Sequence, residues 1–168
     1  MKDKFIEIFS GLNIAYGKFI PEDKNDAGKL QGKNQIIREP EGLPEHLWED
    51  HLSGKTSLGI IPIDENNSCR WGCIDIDIYN GFSHIELIKK IRKHGLPLIV
   101  FRSKSGGAHV FMFFTVPVKA GLVQSKLKEF ASFLGCAGSE IFPKQTKLLL
   151  DRGQTGNYLN LPYFNSED

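Results

Sequence analysis

Isoleucine and aspartate alternate along Cys73-Ile74-Asp75-Ile76-Asp77-Ile78. An extended strand sorts such a run cleanly, because successive side chains point to opposite faces. Asp75 and Asp77 then share one face, and Ile74, Ile76 and Ile78 share the other. Two carboxylates about 7 Å apart on one face repel each other unless a cation sits between or beside them. From these residues alone two readings stay open: a half-buried strand with a solvated acidic face, or a cation site.

A chain of 168 residues predicts one domain, or one domain with a small N-terminal extension. No apolar run reaches membrane-spanning length, which argues against a membrane partner. The start, Met1-Lys2-Asp3-Lys4-Phe5, reads as an amphipathic segment without a secretory apolar region, so a cytoplasmic address is expected. Cys69, Cys73 and Cys136 form no paired framework and no zinc-type ligand set, and are expected to be reduced. The net charge is +1, so the molecule as a whole does not attract nucleic acid. Local clusters at Lys89, Lys90, Arg92 and Lys93, at Arg102 and Lys104, and at Lys24, Lys29 and Lys33 are either solvated faces or phosphate contacts.

Residues 3–10 predict a short helix. From about Gly11 to Gly42 the periodicity is weak, which predicts loop with short strands at Ile14-Ala15-Tyr16 and Gln35-Ile36-Ile37. A helix over 44–53 and a strand over 57–62 follow. From residue 70 the pattern sharpens. It predicts a strand at 71–79, a helix at 83–94 capped by Ser83, strands at 98–102 and 108–115, a helix at 119–134, and short strands near 139–142 and 147–150. The order β-α-β-β-α-β is that of ferredoxin-like and RRM-like domains, in which the first and third strands are antiparallel neighbours. That arrangement sets His109 beside the aspartates despite their distance in sequence. His51, His84 and His94 read as solvated positions on or near helices.

Three further blocks line up with the aspartates. Ser105-Gly106-Gly107-Ala108-His109 is a glycine turn entering a strand, either a plain hairpin or a phosphate cradle. Glu140-Ile141-Phe142-Pro143-Lys144-Gln145 offers a third carboxylate and a cation. Gly156-Asn157-Tyr158-Leu159-Asn160-Leu161-Pro162 carries two amides suited to a base, a sugar or ordinary turn chemistry.

In this order and spacing the four blocks resemble the archaeo-eukaryotic primase superfamily, most of all the primase-polymerase domains of phages, plasmids, mobile elements and conflict or CRISPR-associated systems. The resemblance covers about residues 55–165. It implies an α+β fold: an RRM-like catalytic core (69–165) packed with an N-terminal α/β unit (1–68) in a single domain. It implies template-directed nucleotidyl transfer by a two-metal mechanism with Mg²⁺ or Mn²⁺. Asp75, Asp77 and a third acid would hold the metals; Glu140 is the choice for the third and Asp151 the runner-up. Ser105, Gly107 and His109 would hold phosphates, with Lys144 adding charge and Asn157 and Asn160 lining the nucleotide pocket. The implied partners are single-stranded DNA and nucleoside triphosphates. A helicase or an accessory priming module in a larger parent chain is also implied. The turn at Ser105-Gly106-Gly107-Ala108-His109 is more compact than the family's usual glycine turn.

The alternative is a non-catalytic nucleotide or single-strand binder on the same core, which would not need both aspartates. A metal-dependent nuclease or replication initiator would need a His-x-His pair, which the chain lacks. Deoxy- versus ribonucleotide preference stays open, with Tyr79 and Phe113 as candidate sugar contacts.

Overall fold

The computed structural model describes residues 2–24, 30–78, 81–103 and 106–165. Lys29, Tyr79, Lys104 and Ser105 lie outside the described residues. Among those described, the chain forms two antiparallel four-stranded sheets and four α-helices. No helix is long and apolar enough to cross a membrane.

The second half of the chain follows local pattern closely. Strand β4 (Ser68–Ile76) leads to α3 (His84–Lys93), β5 (Ile99–Arg102), β6 (Ala108–Lys119), α4 (Ala120–Leu134) and β7 (Glu140–Phe142). Ser83 caps α3, its hydroxyl accepting the Glu86 N–H at 3.3 Å. Helix α4 ends on Gly135 at φ 86°, the left-handed conformation that a glycine adopts without strain. The sheet order is β5-β6-β4-β7, so β4 lies between two antiparallel neighbours.

The two faces of this sheet meet different layers. Ile74, Ile76 and Val110 pack with Leu87 and Ile91 of α3 and with Val123, Leu127 and Ala131 of α4. The α4 trio recurs every four residues, which puts it on one helix face. Trp71, Cys73, Phe111 and Phe142 look the other way, onto Phe5 and Phe9 of α1 (Lys2–Phe9) and Trp48 of α2 (His46–Leu52). Helix α3 thus covers the isoleucine face, and its basic cluster lies behind the sheet from Asp75. Lys89 pairs with Glu86 at 2.9 Å and Lys90 sits 5.4 Å from the Phe133 ring, as on a solvated helix face. Ile78 lies past the end of β4 and is exposed, so it does not join Ile74 and Ile76 in the core.

The N-terminal half departs from expectation. Residues 11–42 are not mostly loop; they form a long hairpin of β1 (Ala15–Lys24) and β2 (Leu30–Arg38). Ile20 and Ile36 remain exposed on it, so no clean buried face marks the strands in the sequence. The sheet order is β2-β1-β3-β8, with β3 (Gly59–Ile60) joined by β8 (Leu159–Asn160) from the far end of the chain. Residues 147–150 form no strand. Leu148 packs into the core instead, and a 3₁₀ turn follows at Leu150–Arg152.

His51 is completely buried rather than solvated. Its Nδ1 accepts the Leu58 N–H at 3.0 Å, which leaves the proton on Nε2 to be donated to the Pro162 carbonyl at 2.8 Å. Burial lowers its pKa, against a smaller opposing effect of the Pro162 bond. The unfolded chain, with an ordinary value of about 6.5, therefore binds the proton more readily than the folded one. This stability is present above about pH 6.5 and is lost as pH falls toward the depressed folded value. Urea denaturation at pH 7.5 and 5.5 is expected to show a loss of up to about 1.4 kcal/mol per pH unit from this group. His51→Gln should lack that slope; identical profiles would remove the assignment.

Candidate active site

Register, rather than any local motif, assembles the site. Asp75 on β4 faces His109 on β6 and Glu140 on β7, and His109 faces Phe101 on β5. One row, Phe101-His109-Asp75-Glu140, therefore runs across all four strands on the face opposite the isoleucines. Nε2 of His109 lies 3.3 Å from Oδ1 of Asp75, with both side chains mostly buried. That contact lacks hydrogen-bond geometry, and Asp75 Oδ1 is a buried oxygen with no hydrogen-bond partner. A carboxylate oxygen in that state is costly and is satisfied by a cation.

Glu140 is engaged by Lys144 at 2.6 Å, and Lys144 Nζ sits 5.1 Å from the Phe142 ring. Gln124 of α4 fixes this turn by donating to the carbonyls of Pro143 at 3.2 Å and Lys144 at 3.0 Å. Asp77 follows the last ladder residue of β4 and is exposed. Among the described residues, no three histidine, cysteine, aspartate or glutamate side chains converge as a metal-binding group. Lys144 engages Glu140, and Asp77 lies just past the end of the β4 ladder. The donor chemistry still suits a hard divalent cation: carboxylate oxygens, one of them orphaned, on a rigid central strand.

The glycine turn is explained largely by packing. Gly106 takes φ 96°, and a side chain there would meet open space. A Cβ on Gly107 would collide with the backbone carbonyl of Ile76, next to Asp75. The Gly107 carbonyl accepts the Ser103 N–H at 2.9 Å and lies 2.9 Å from Nε2 of His84. His84 is therefore not a solvated residue but a brace between α3 and the turn. Gly107→Ala is expected to cost about 1–3 kcal/mol by overpacking against backbone. A thermal melt would check it, and an unchanged midpoint would show that β4 yields without cost.

Asn157 makes a reciprocal pair with Gln145, its N–H donating to Oε1 at 3.0 Å and its Oδ1 accepting from Nε2 at 2.5 Å. Asn160 sits on β8 opposite Gly59, in the other sheet. Asp151 lies in the 3₁₀ turn, and its neighbours lead away from Asp75. Leu148 N–H donates to Asn67, just before β4 begins, and Arg38 donates to the Gly153 carbonyl. Phe113 shares the aspartate face, yet it stacks on Phe111 at 5.6 Å and meets Phe9 at 5.4 Å, opposite Trp71. Ser105 and Tyr79 lie outside the described residues. Sequence reading missed His84 and Phe101, which become site neighbours only through long-range pairing.

Two antiparallel sheets with four helices are compatible with the fold of the archaeo-eukaryotic primases, a class of primase-like nucleotidyltransferases. Residues 18–167 match the family model of the archaeo-eukaryotic primase domain of the TOTE conflict system, and the chain belongs to that family. No curated protein matches the chain.

Proposed function

We propose that the domain synthesises or extends primers on single-stranded DNA as a metal-dependent nucleotidyltransferase. The observation that carries this reading is the orphaned Asp75 oxygen, set between His109 and Glu140 in one row. The unit β4-α3-β5-β6-α4-β7, with sheet order β5-β6-β4-β7, supports an RRM-like catalytic core. Asp75 and Asp77, with Glu140 once released from Lys144, would hold Mg²⁺ or Mn²⁺. The bound ions supply charge neutralisation at the transferring phosphate and lower the pKa of the attacking hydroxyl. In the reaction a primer 3′-hydroxyl loses its proton and bonds the α-phosphorus, and the bond to pyrophosphate breaks. His109, held beside Asp75, offers Nε2 to a phosphate oxygen, and Lys144 offers a positive group on the Glu140 side. The single strand and the nucleoside triphosphates are its partners on this reading, and a helicase or priming module in a larger chain would supply what initiation needs.

The Glu140–Lys144 pair also favours a second reading, a nucleotide or single-strand binder without catalysis. One experiment separates the two. A labelled primer on a single-stranded template is incubated with Mg²⁺ or Mn²⁺ and each nucleotide pool. Template-directed extension that disappears in Asp75→Asn supports the enzyme; nucleotide binding without extension supports the binder. Extension that persists in Asp75→Asn overturns the site.

A further inference from the structure

The row at Asp75 ends in aromatic surface that the proposed chemistry does not use. Phe101 closes it on the β5 side, opposite His109. Against Phe101 stands Tyr163, ring edge to ring face at 5.5 Å and 80°. Tyr163 also meets Phe5 at 6.1 Å, yet 53% of it is exposed. Its backbone takes φ 66°, which a bulky residue adopts only when its surroundings impose it. Those surroundings are visible. The Leu161 N–H donates to Leu58 at 3.0 Å, the Pro162 carbonyl accepts from His51 at 2.8 Å, and the Asn165 N–H donates to the His51 carbonyl at 3.2 Å. Bonds on both sides thus hold a half-exposed aromatic ring at the edge of the site instead of letting it fold into the core. Local backbone strain held in place beside a reactive row points to binding rather than to packing.

The row has a polarity. Aromatic carbon lies at the β5 end, His109 and Asp75 at the centre, and Glu140 with Lys144 at the β7 end. Two strand spacings, about 10 Å, separate Phe101 from Asp75. A nucleotide has the same polarity, a flat apolar base at one end and anionic phosphates at the other. We infer that Tyr163, with Phe101 behind it, stacks the base of the nucleoside triphosphate bound at Asp75. This rests on the nucleotidyltransferase reading and adds the base subsite to it. Stacking uses the π-face common to every base, so the subsite accepts all of them with similar affinity.

Calorimetric titration in Mg²⁺ tests this with four nucleoside triphosphates and with inorganic tripolyphosphate, which has no base. Tyr163→Leu keeps apolar bulk against Phe5 and Phe101 but removes the ring. It is expected to weaken each nucleotide about 5–150-fold and to leave tripolyphosphate unchanged. Tyr163→Phe, which keeps the ring, restores the lost affinity, and Phe101→Leu gives a smaller loss in the same direction. An equal loss for nucleotide and tripolyphosphate would mean disturbed packing and overturn the subsite. No loss in Tyr163→Leu, with wild-type extension intact, overturns it while leaving the nucleotidyltransferase reading standing. Weakened binding of a single-stranded oligonucleotide alone would assign the ring to the template and likewise overturn it. Wild-type protein that binds no nucleotide and extends no primer removes both readings together.

Discussion

Asp75→Asn is expected to lower primer extension about 10²–10³-fold, equivalent to about 3–4 kcal/mol of transition-state stabilisation, without lowering stability. The amide has the same shape, and the backbone of residue 75 stays paired to β6 and β7. What changes is charge. The native carboxylate keeps one oxygen buried without a hydrogen bond, 3.3 Å from His109 Nε2, an arrangement that costs the fold and leaves an acceptor for a ligand. Removing the negative charge relieves that cost and removes the cation's principal donor together. The predicted signature is therefore a pair of results: lost extension and lost Mn²⁺ binding, with a melting midpoint equal to or above the wild type. A variant that melts well below the wild type would mean that Asp75 is structural. One that still extends primers would remove it from the chemistry.

Trp71→Ala is expected to have the largest effect on stability. Trp71 is fully buried, with ring contacts to Phe9 at 6.1 Å and Phe111 at 5.5 Å. Its Nε1–H donates to the Ser10 carbonyl at 2.9 Å, tying the end of α1 to the central strand. Truncation of a buried tryptophan costs about 3–5 kcal/mol, and the stranded Ser10 carbonyl adds about 1 kcal/mol or more. Typical domains hold only about 5–15 kcal/mol in total, so this change alone brings the protein near unfolding. Trp71→Phe keeps most of the apolar contact and loses the hydrogen bond, which separates the two contributions. Urea denaturation of both variants checks this; a loss below about 1 kcal/mol for Trp71→Ala would show that the aromatic layer closes over the gap.

The same strand shows how far sequence reading reaches. Alternation along Ile74-Asp75-Ile76 identified the strand and its two faces, because side-chain direction is a local property of extended backbone. Ser83 marked the start of α3 for an equally local reason, a side-chain cap. Alternation also carried the reading too far at Asp77 and Ile78, where the pattern continues but the ladder does not. The pairing of β1 with β2 stayed hidden because their exposed Ile20 and Ile36 break the contrast between faces.

His51 shows the limit from the other side. Its sequence surroundings resemble any helix surface, and its burial comes from Leu58, Pro162 and Phe5 closing over it. The row Phe101-His109-Asp75-Glu140 is of the same kind, four residues scattered between positions 75 and 140 and joined by strand register. The sequence by itself determined the strands and helices from β4 to β7, the faces they bury, and which side chains are chemically suited to a nucleotide. Only the tertiary structure decided that Glu140 stands beside Asp75, that Lys144 holds it, and that Tyr163 flanks the row. Periodicity records how each residue is oriented within its own element, whereas these neighbours depend on pairing between distant elements, which no local spacing encodes.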